Sequence, residues 1–201
     1  MAESWKLPPG SKLCFVTTGA TAPFTALIES ALSPSSLQAL RECGFTNILV
    51  QYGTAKDVFA RCSSAAVSHL ENNGLGKELS IAGFDFDSNA LQPQFKLVQK
   101  TKGLVVSHAG SGTILAALRY QIPLVVVPNT GLLDNHQEEL AVAMERNRYL
   151  LRGDVQDLAP AITKSEDFRV KMSQFPPVTS GEHRDTKSFN AIMDETLGFM
   201  D

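Results

Sequence analysis

Three observations predict an α/β chain with a doubly wound, mainly parallel sheet of the Rossmann-like type. Short apolar runs alternate along the chain with stretches of helical periodicity. The runs are continuous in Val, Ile and Leu, as in strands covered on both faces. Several of them end in hydroxyl- and glycine-containing turns just before a helix, where open parallel sheets hold their ligands. The 201 residues suffice for one such domain with a full core, and 43% of them are apolar, an ordinary share for a globular chain.

Leu13-Cys14-Phe15-Val16 is the first predicted strand, ending at Thr17-Thr18-Gly19-Ala20-Thr21. Pro23 sits where a helix can begin, because its missing N–H costs nothing at the first position. Phe24, Leu27, Ile28, Ala31 and Leu32 follow at helical spacing. A second helix runs from Ser35 to Cys43 and is stopped by Gly44. Asn47 to Gln51 is the second strand. Lys56 to Asn73 is only partly helical in pattern, and Asn72-Asn73-Gly74-Leu75-Gly76 breaks it. A third strand over Leu79 to Phe86 precedes a helix from Leu91 to Lys100, with Pro93 in its first turn. The fourth and fifth strands, Leu104 to Ser107 and Leu124 to Val127, are followed by helices over Thr113 to Tyr120 and Asn135 to Arg148. A short sixth strand spans Tyr149 to Leu151. Asp154 caps a helix reaching about Ser165, with Pro160 as a kink. The whole is read as a single domain with its core over about 13–173. Residues 174–184 form a connector containing Pro176 and Pro177, and a last helix runs over 185–200 with Phe189, Ile192, Met193, Thr196, Leu197 and Met200 near one face.

Composition narrows the function. Eighteen basic and 21 acidic residues give a net charge of −3, and the basic ones never form a run, so nucleic acid is not an expected partner. Met1 to Ser11 lacks the apolar segment of a signal peptide, and no stretch approaches the roughly 18 apolar residues of a spanning helix. A soluble, cytoplasmic protein is expected. Cys14, Cys43 and Cys62 contain no C-x-x-C pair and are read as reduced, buried thiols; no metal and no cofactor is expected.

Two segments carry the chemistry. Ser107-His108-Ala109-Gly110-Ser111-Gly112-Thr113 follows the fourth strand, and Asp134-Asn135-His136-Gln137 follows the fifth. Glycines let a ligand approach the backbone, and the first N–H groups of a helix have no partner within it, so an anion can bind there. His108 is either a backbone-bonded structural histidine or a donor to a phosphate oxygen, strengthened by protonation. Thr113 caps its helix, meets the phosphate, or both. Asp134 or Asn135 can serve as a cap, but Asn-His-Gln together suits sugar hydroxyls, whereas Glu138 and Glu139 complement the helix dipole. Thr17 to Thr21 is either a tight turn or a second wall of the same crevice, with hydroxyls aimed at phosphate. Gln51-Tyr52-Gly53 is read as mainly structural, and His69 and His183 as surface or core residues. The glycines match only part of a dinucleotide fingerprint, since Leu115 stands at the third glycine position and the next strand ends in Pro128-Asn129, without the acidic residue for ribose. A nicotinamide-dependent oxidoreductase or epimerase, and a non-catalytic binding module, remain the alternatives.

His108-Ala109-Gly110-Ser111-Gly112-Thr113 resembles the His-x-Gly-x-x-Ser/Thr signature of GT-B glycosyltransferases, and Asp134-Asn135-His136-Gln137 resembles their sugar-contacting segment. With Val16 to Thr21 as the opening loop, the chain is similar over about 13–165 to the cytosolic catalytic subunits of the two-subunit UDP-N-acetylglucosamine transferases of dolichol-linked oligosaccharide synthesis. It is also similar to the C-terminal half of the bacterial peptidoglycan transferase MurG. The resemblance implies a donor-binding half-enzyme, recruited to the cytosolic face of the endoplasmic reticulum by a membrane-anchored, acceptor-binding subunit. That pair moves N-acetylglucosamine from UDP-N-acetylglucosamine to dolichyl-diphosphate-N-acetylglucosamine with inversion. Thr18, Gly19, His108, Gly110, Ser111, Gly112 and Thr113 would then surround the diphosphate, with His108 stabilising the leaving group. Asn135, His136 and Gln137 would hold the sugar and the backbone near Phe84 and Asp85 the uracil, while Phe189, Ile192, Met193 and Leu197 would dock on the partner. The signature's acidic ribose ligand, three positions past the Ser/Thr, is Ala116 here, so ribose is held by another group.

Overall fold

The computed structural model describes residues 7–19, 23–74, 79–86, 91–129, 136–174 and 187–197, with His136, Phe189 and Leu197 described by their backbone alone. Its strands are β1 (Leu13–Thr17), β2 (Asn47–Gln51), β3 (Ser80–Phe84), β4 (Leu104–Ser107), β5 (Leu124–Val126) and β6 (Leu151–Arg152). They pair in parallel as one sheet in the order β3-β2-β1-β4-β5-β6. The chain starts mid-sheet, winds outward to β3, then returns beside β1 and winds the other way. The direction reverses between β1 and β4, which leaves a crevice beyond their carboxyl ends.

Alternation along each strand feeds two cores. Cys14, Val16, Ile48, Val50, Leu104 and Val106 face a layer made by α1 (Thr25–Ala31), α2 (Pro34–Glu42), α3 (Lys56–Asn72) and α7 (Ala159–Met172). Leu13, Phe15, Leu49, Val105, Leu124 and Val126 face α4 (Gln92–Lys100), α5 (Ser111–Arg119), α6 (His136–Arg146) and α8 (Phe189–Leu197). With both faces covered, the strands need no polar alternation.

The turns that lead from helix back to strand share one construction. After α2, Phe45 N donates to Leu40 O (2.9 Å) and Gly44 N to Arg41 O (2.8 Å). The same pair of bonds closes α4 through Gly103 and Lys102, α5 through Ile122 and Gln121, and α6 through Tyr149 and Arg148. Each is a Schellman close, satisfying carbonyls the helix leaves open. It needs one left-handed residue, which is Gly44 once but Lys102 (φ 50°), Gln121 (φ 53°) and Arg148 (φ 59°) elsewhere.

Four expectations are corrected. Residues 56–72, ambiguous by pattern, form one continuous helix: no Gly or Pro interrupts them and Asp57 sits favourably in the first turn. Helix α5 begins at Ser111 rather than Thr113, which puts two glycine-flanked amides at its mouth. Asp154 does not cap α7; its Oδ1 accepts from Gln156 N (2.8 Å) in a local turn. Helix α7 starts at Ala159, so Pro160 lies in the first turn and makes no kink, and the helix continues past Ser165, whose hydroxyl bonds back to Ile162 O (2.6 Å). The predicted connector over 174–184 falls almost wholly outside the described residues.

Gln121 is exposed and in a strained left-handed conformation. Gln121→Gly relieves that strain against a smaller gain in unfolded-state entropy, so urea denaturation is expected to show up to about 1 kcal/mol of added stability.

Candidate functional site

In the last full row of the sheet three central positions are polar, where the row directly behind them is Val50, Val16 and Val106. Gln51, Thr17 and Ser107 lie side by side on β2, β1 and β4, at 3%, 0% and 0% exposure. Thr17 Oγ1 donates to Gln51 Oε1, and Ser107 Oγ donates to the carbonyl of His108. The main-chain carbonyl of Gln51 accepts both Thr18 N (3.3 Å) and Thr18 Oγ1 (3.1 Å). Thr18 is thereby corrected as a diphosphate contact. It is 3% exposed, and its hydroxyl proton is spent on the fold.

Beyond this row the two loops meet at His108. A Cβ built on Gly19 would lie 2.5 Å from His108 Cε1, and one built on Gly110 would lie 2.4 Å from Nε2. The imidazole is therefore held between two glycines from opposite sides of the crevice. Gly19 also has φ +83°, which an L side chain rarely adopts. The ring is half-buried, and its Nδ1 is buried with no hydrogen-bond partner among the described residues. Burial pushes its pKa below the ordinary histidine value; the backbone of Thr17 pulls weakly the other way. Burial thus favours the neutral ring in the free protein.

Gly110 is the N-cap of α5 and brings no side chain to the cap. Its carbonyl accepts Thr113 N and Ile114 N, each at 3.1 Å. The amides of exposed Ser111 and Gly112 find no acceptor among the described residues. Two free N–H groups and the positive end of a helix thus lie beside the His108 ring, whose Nε2 edge is the one nearest Gly110, an arrangement suited to a phosphate or diphosphate. The structure brings Gly19, His108, Gly110, Ser111, Gly112 and Thr113 together as expected.

The remaining expected positions divide. Gln137 lies in the first turn of α6 and its Oε1 accepts Asn129 N (3.3 Å), tying that helix to the exit of β5. His136 opens α6, with its side chain outside the described atoms, and Asn135 lies outside the described residues. Ala116 packs against the apolar core. The Phe84 ring stacks on Phe15 (6.2 Å between centroids) and its carbonyl accepts Tyr52 N (3.0 Å), so that carbonyl is engaged within the fold. Asp85 is exposed, and its carboxylate accepts Phe86 N at 2.8 Å. The residue missed at this edge is Phe86, 50% exposed, whose ring lies beside Gly53, itself next to Gly19 O. An aromatic two residues past a strand that opens on the crevice was the available signal.

Helix α8 is also corrected. Ile192 is 1% exposed and belongs to the chain's own core against α6, with Met193 half-buried beside it. Tyr149 Oη donates to Lys187 O (2.9 Å) and Lys187 N to Asn147 Oδ1 (3.0 Å), pinning the helix entrance. Ile192 is thus not free for a partner, while the side chains of Phe189 and Leu197 lie outside the described atoms. No helix among the described residues is long and apolar enough to cross a membrane.

The model of the glycosyltransferase family 28 C-terminal domain matches residues 13–174. The chain belongs to that family. As a family 28 domain, it is similar to UDP-N-acetylglucosamine transferase subunit ALG13 of Eremothecium gossypii, with 37% identity covering 84% of this chain and 87% of the relative. The Saccharomyces cerevisiae protein of the same name is 33% identical over 76% of this chain and 80% of its own length. An NMR solution structure of ALG13 superposes with a TM-score of 0.58 at 28% identity, covering 78% of this chain and 86% of that one. The crystal structure of Acinetobacter baumannii MurG shares the fold, with a TM-score of 0.54 at 15% identity; the match covers 94% of this chain and half of MurG.

Two outcomes follow from the packing at His108. In Gly19→Ala the new methyl meets the imidazole in a left-handed conformation. Urea denaturation is expected to show a loss of about 1–3 kcal/mol. The pH effect has a definite sign. The folded-state pKa of His108 lies below its unfolded value of about 6.5, so in that window the unfolded chain holds more protons. Stability therefore falls on acidification through this window, and it is flat in this group's contribution above it. Stability measured against pH is expected to lose part of that slope in His108→Gln.

Proposed function

We propose that this chain is the donor-binding, catalytic subunit of a two-subunit UDP-N-acetylglucosamine transferase. The observation that carries the reading is His108, with an orphaned Nδ1, beside the uncapped first amides of α5 at the sheet's switch point. Membership of family 28 and the printed name of its relatives support the nucleotide and the sugar. The diphosphate lies on Ser111 N and Gly112 N, with His108 turned to an oxygen of the leaving phosphate. Gln137 approaches the sugar with its amide nitrogen, its Oε1 being engaged at Asn129.

In the reaction, a hydroxyl oxygen of dolichyl-diphosphate-N-acetylglucosamine attacks C1 of the donor sugar from the face opposite UDP. The C1–O bond to the β-phosphate breaks, and its electron pair leaves with UDP. The anomeric configuration inverts. The hydroxyl proton passes to a base supplied by the membrane-anchored subunit across the crevice. Charge grows on the leaving oxygens, where fixed amide dipoles cost no reorganisation and are worth most. Recruitment to the cytosolic face of the endoplasmic reticulum follows from the acceptor's lipid. With Ile192 buried in this chain's own core, the docking surface is centred on the rim of the crevice rather than on that residue.

The test is turnover of UDP-N-acetylglucosamine with a dolichyl-diphosphate-N-acetylglucosamine acceptor, by this chain alone, by membranes holding the partner subunit alone, and by the two together. Activity is expected only from the pair; full activity of this chain alone would refute the split site. Calorimetry is expected to show UDP binding with no competition from NAD. His108→Ala is expected to weaken UDP binding at least about tenfold, as a hydrogen bond to a charged ligand is worth roughly 1.5–3 kcal/mol.

A further inference from the structure

The residue that holds the crevice in shape is one that touches no ligand in the reading above. Gln51 closes β2, is 3% exposed, and gathers the exit of β1 onto itself. Its side-chain oxygen accepts Thr17 Oγ1, and its carbonyl accepts Thr18 through both N and Oγ1. Thr17 Oγ1 in turn accepts Gly19 N at 3.4 Å. Gly19 is the wall against which the His108 ring rests. A contiguous path of hydrogen bonds and contact therefore runs from β2 through the first loop to the imidazole on β4. A structural glutamine would have no need of this path: the ladder between β1 and β2 is complete without its side chain.

We propose that Gln51 is a positioning residue for nucleotide binding: with Thr17 it fixes the Gly19 turn, and the Gly19 turn fixes the His108 imidazole facing the first amides of α5. The proposal rests on the diphosphate site argued above, and it is tested in a way that separates the two. A shift of the first loop by a fraction of an ångström relieves the contact at Gly19 and lets the ring rotate about its side-chain bonds. Donor geometry toward an anion is then lost, while the strands stay paired.

The experiment uses the full chain and five forms: unmodified, Gln51→Leu, Thr17→Val, Thr17→Ser and the double change of Thr17→Val with Gln51→Leu. Two quantities are read. One is the nuclear Overhauser contact between His108 Hε1 and Gly19 Hα in the free protein. The other is UDP affinity by calorimetry. Gln51→Leu and Thr17→Val are each expected to lose the contact and about tenfold in affinity, the worth of one buried hydrogen bond. The double form is expected to be no worse than either, because both break the same link. Thr17→Ser keeps the hydroxyl and is expected to behave as the unmodified chain. A folded Gln51→Leu that keeps the contact and binds UDP within about twofold overturns the proposal. So do losses that add in the double form. If Gln51→Leu fails to fold, Thr17→Val against Thr17→Ser decides. If the unmodified chain binds no UDP, the diphosphate reading falls, yet the His108–Gly19 contact still judges whether Gln51 positions the ring.

Discussion

An imidazole clamped between two glycines is the constraint around which the crevice is built. The ring of His108 fills the gap that strand reversal opens between β1 and β4, and it fits because neither Gly19 nor Gly110 carries a Cβ. Any side chain at Gly110 would displace the ring; a Ser or Asp there would also cap α5 and consume its amides. Leaving that cap as glycine costs only a few tenths of a kcal/mol relative to the best capping residues. The orphaned Nδ1 costs more, on the order of 1–3 kcal/mol for a buried group without a partner. Against a total stability of roughly 5–15 kcal/mol for a domain, that is a sizeable local sacrifice. A ligand oxygen at this nitrogen would remove it.

The opposite edge of the sheet is organised the other way. There the Schellman turns satisfy helix carbonyls and lead the chain straight into β2, β4, β5 and β6. Lys12 Nζ donates to Cys43 O (2.8 Å) and pairs with Glu166 (2.8 Å), while Arg169 reaches Gly103 O (2.8 Å) and Glu166 (3.2 Å). Burial pushes the Glu166 carboxyl up, but bonds from Lys12 and Arg169 outweigh it and hold it below the usual range. The amino edge thus binds the layers together, and the carboxyl edge leaves the first amides of α5 without a side-chain cap. This division places binding residues on short loops while rigid elements set their spacing.

The parallel, doubly wound sheet and the glycine turn after its fourth strand were legible because they rest on strong local signals. The buried strands are unbroken apolar runs, and Gly110, Ser111 and Gly112 sit directly past one of them. What stayed hidden depends on tertiary partners. Thr18 looked like a ligand contact because a hydroxyl in a loop is ambiguous until its acceptor is known, and that acceptor is a carbonyl 33 residues away. Ile192 looked available because an amphipathic stripe does not say which surface covers it; α6 does. Gln51 looked like ordinary strand-end packing, and its role emerges only once Thr17 and Ser107 are seen in register with it. The direction in which the His108 pKa moves was hidden for the same reason: sequence carries its type but not its burial.

The strand order is also that of dinucleotide-binding sheets, so the fold alone does not choose between a nucleotide sugar and a nicotinamide cofactor. The ends of β2 and β4 do. A dinucleotide sheet carries its glycine turn after the first strand and presents a carboxylate to ribose from the end of the second. Here the end of β2 is Gln51, an amide turned inward onto Thr17, and the glycine turn with its open helix amides follows β4. The glycine turn thus lies across the switch point from its place in a dinucleotide sheet, and the side chain that closes β2 is bonded to Thr17. An inward-turned glutamine at this position is therefore incompatible with the nicotinamide arrangement and consistent with a diphosphate held from the β4 side.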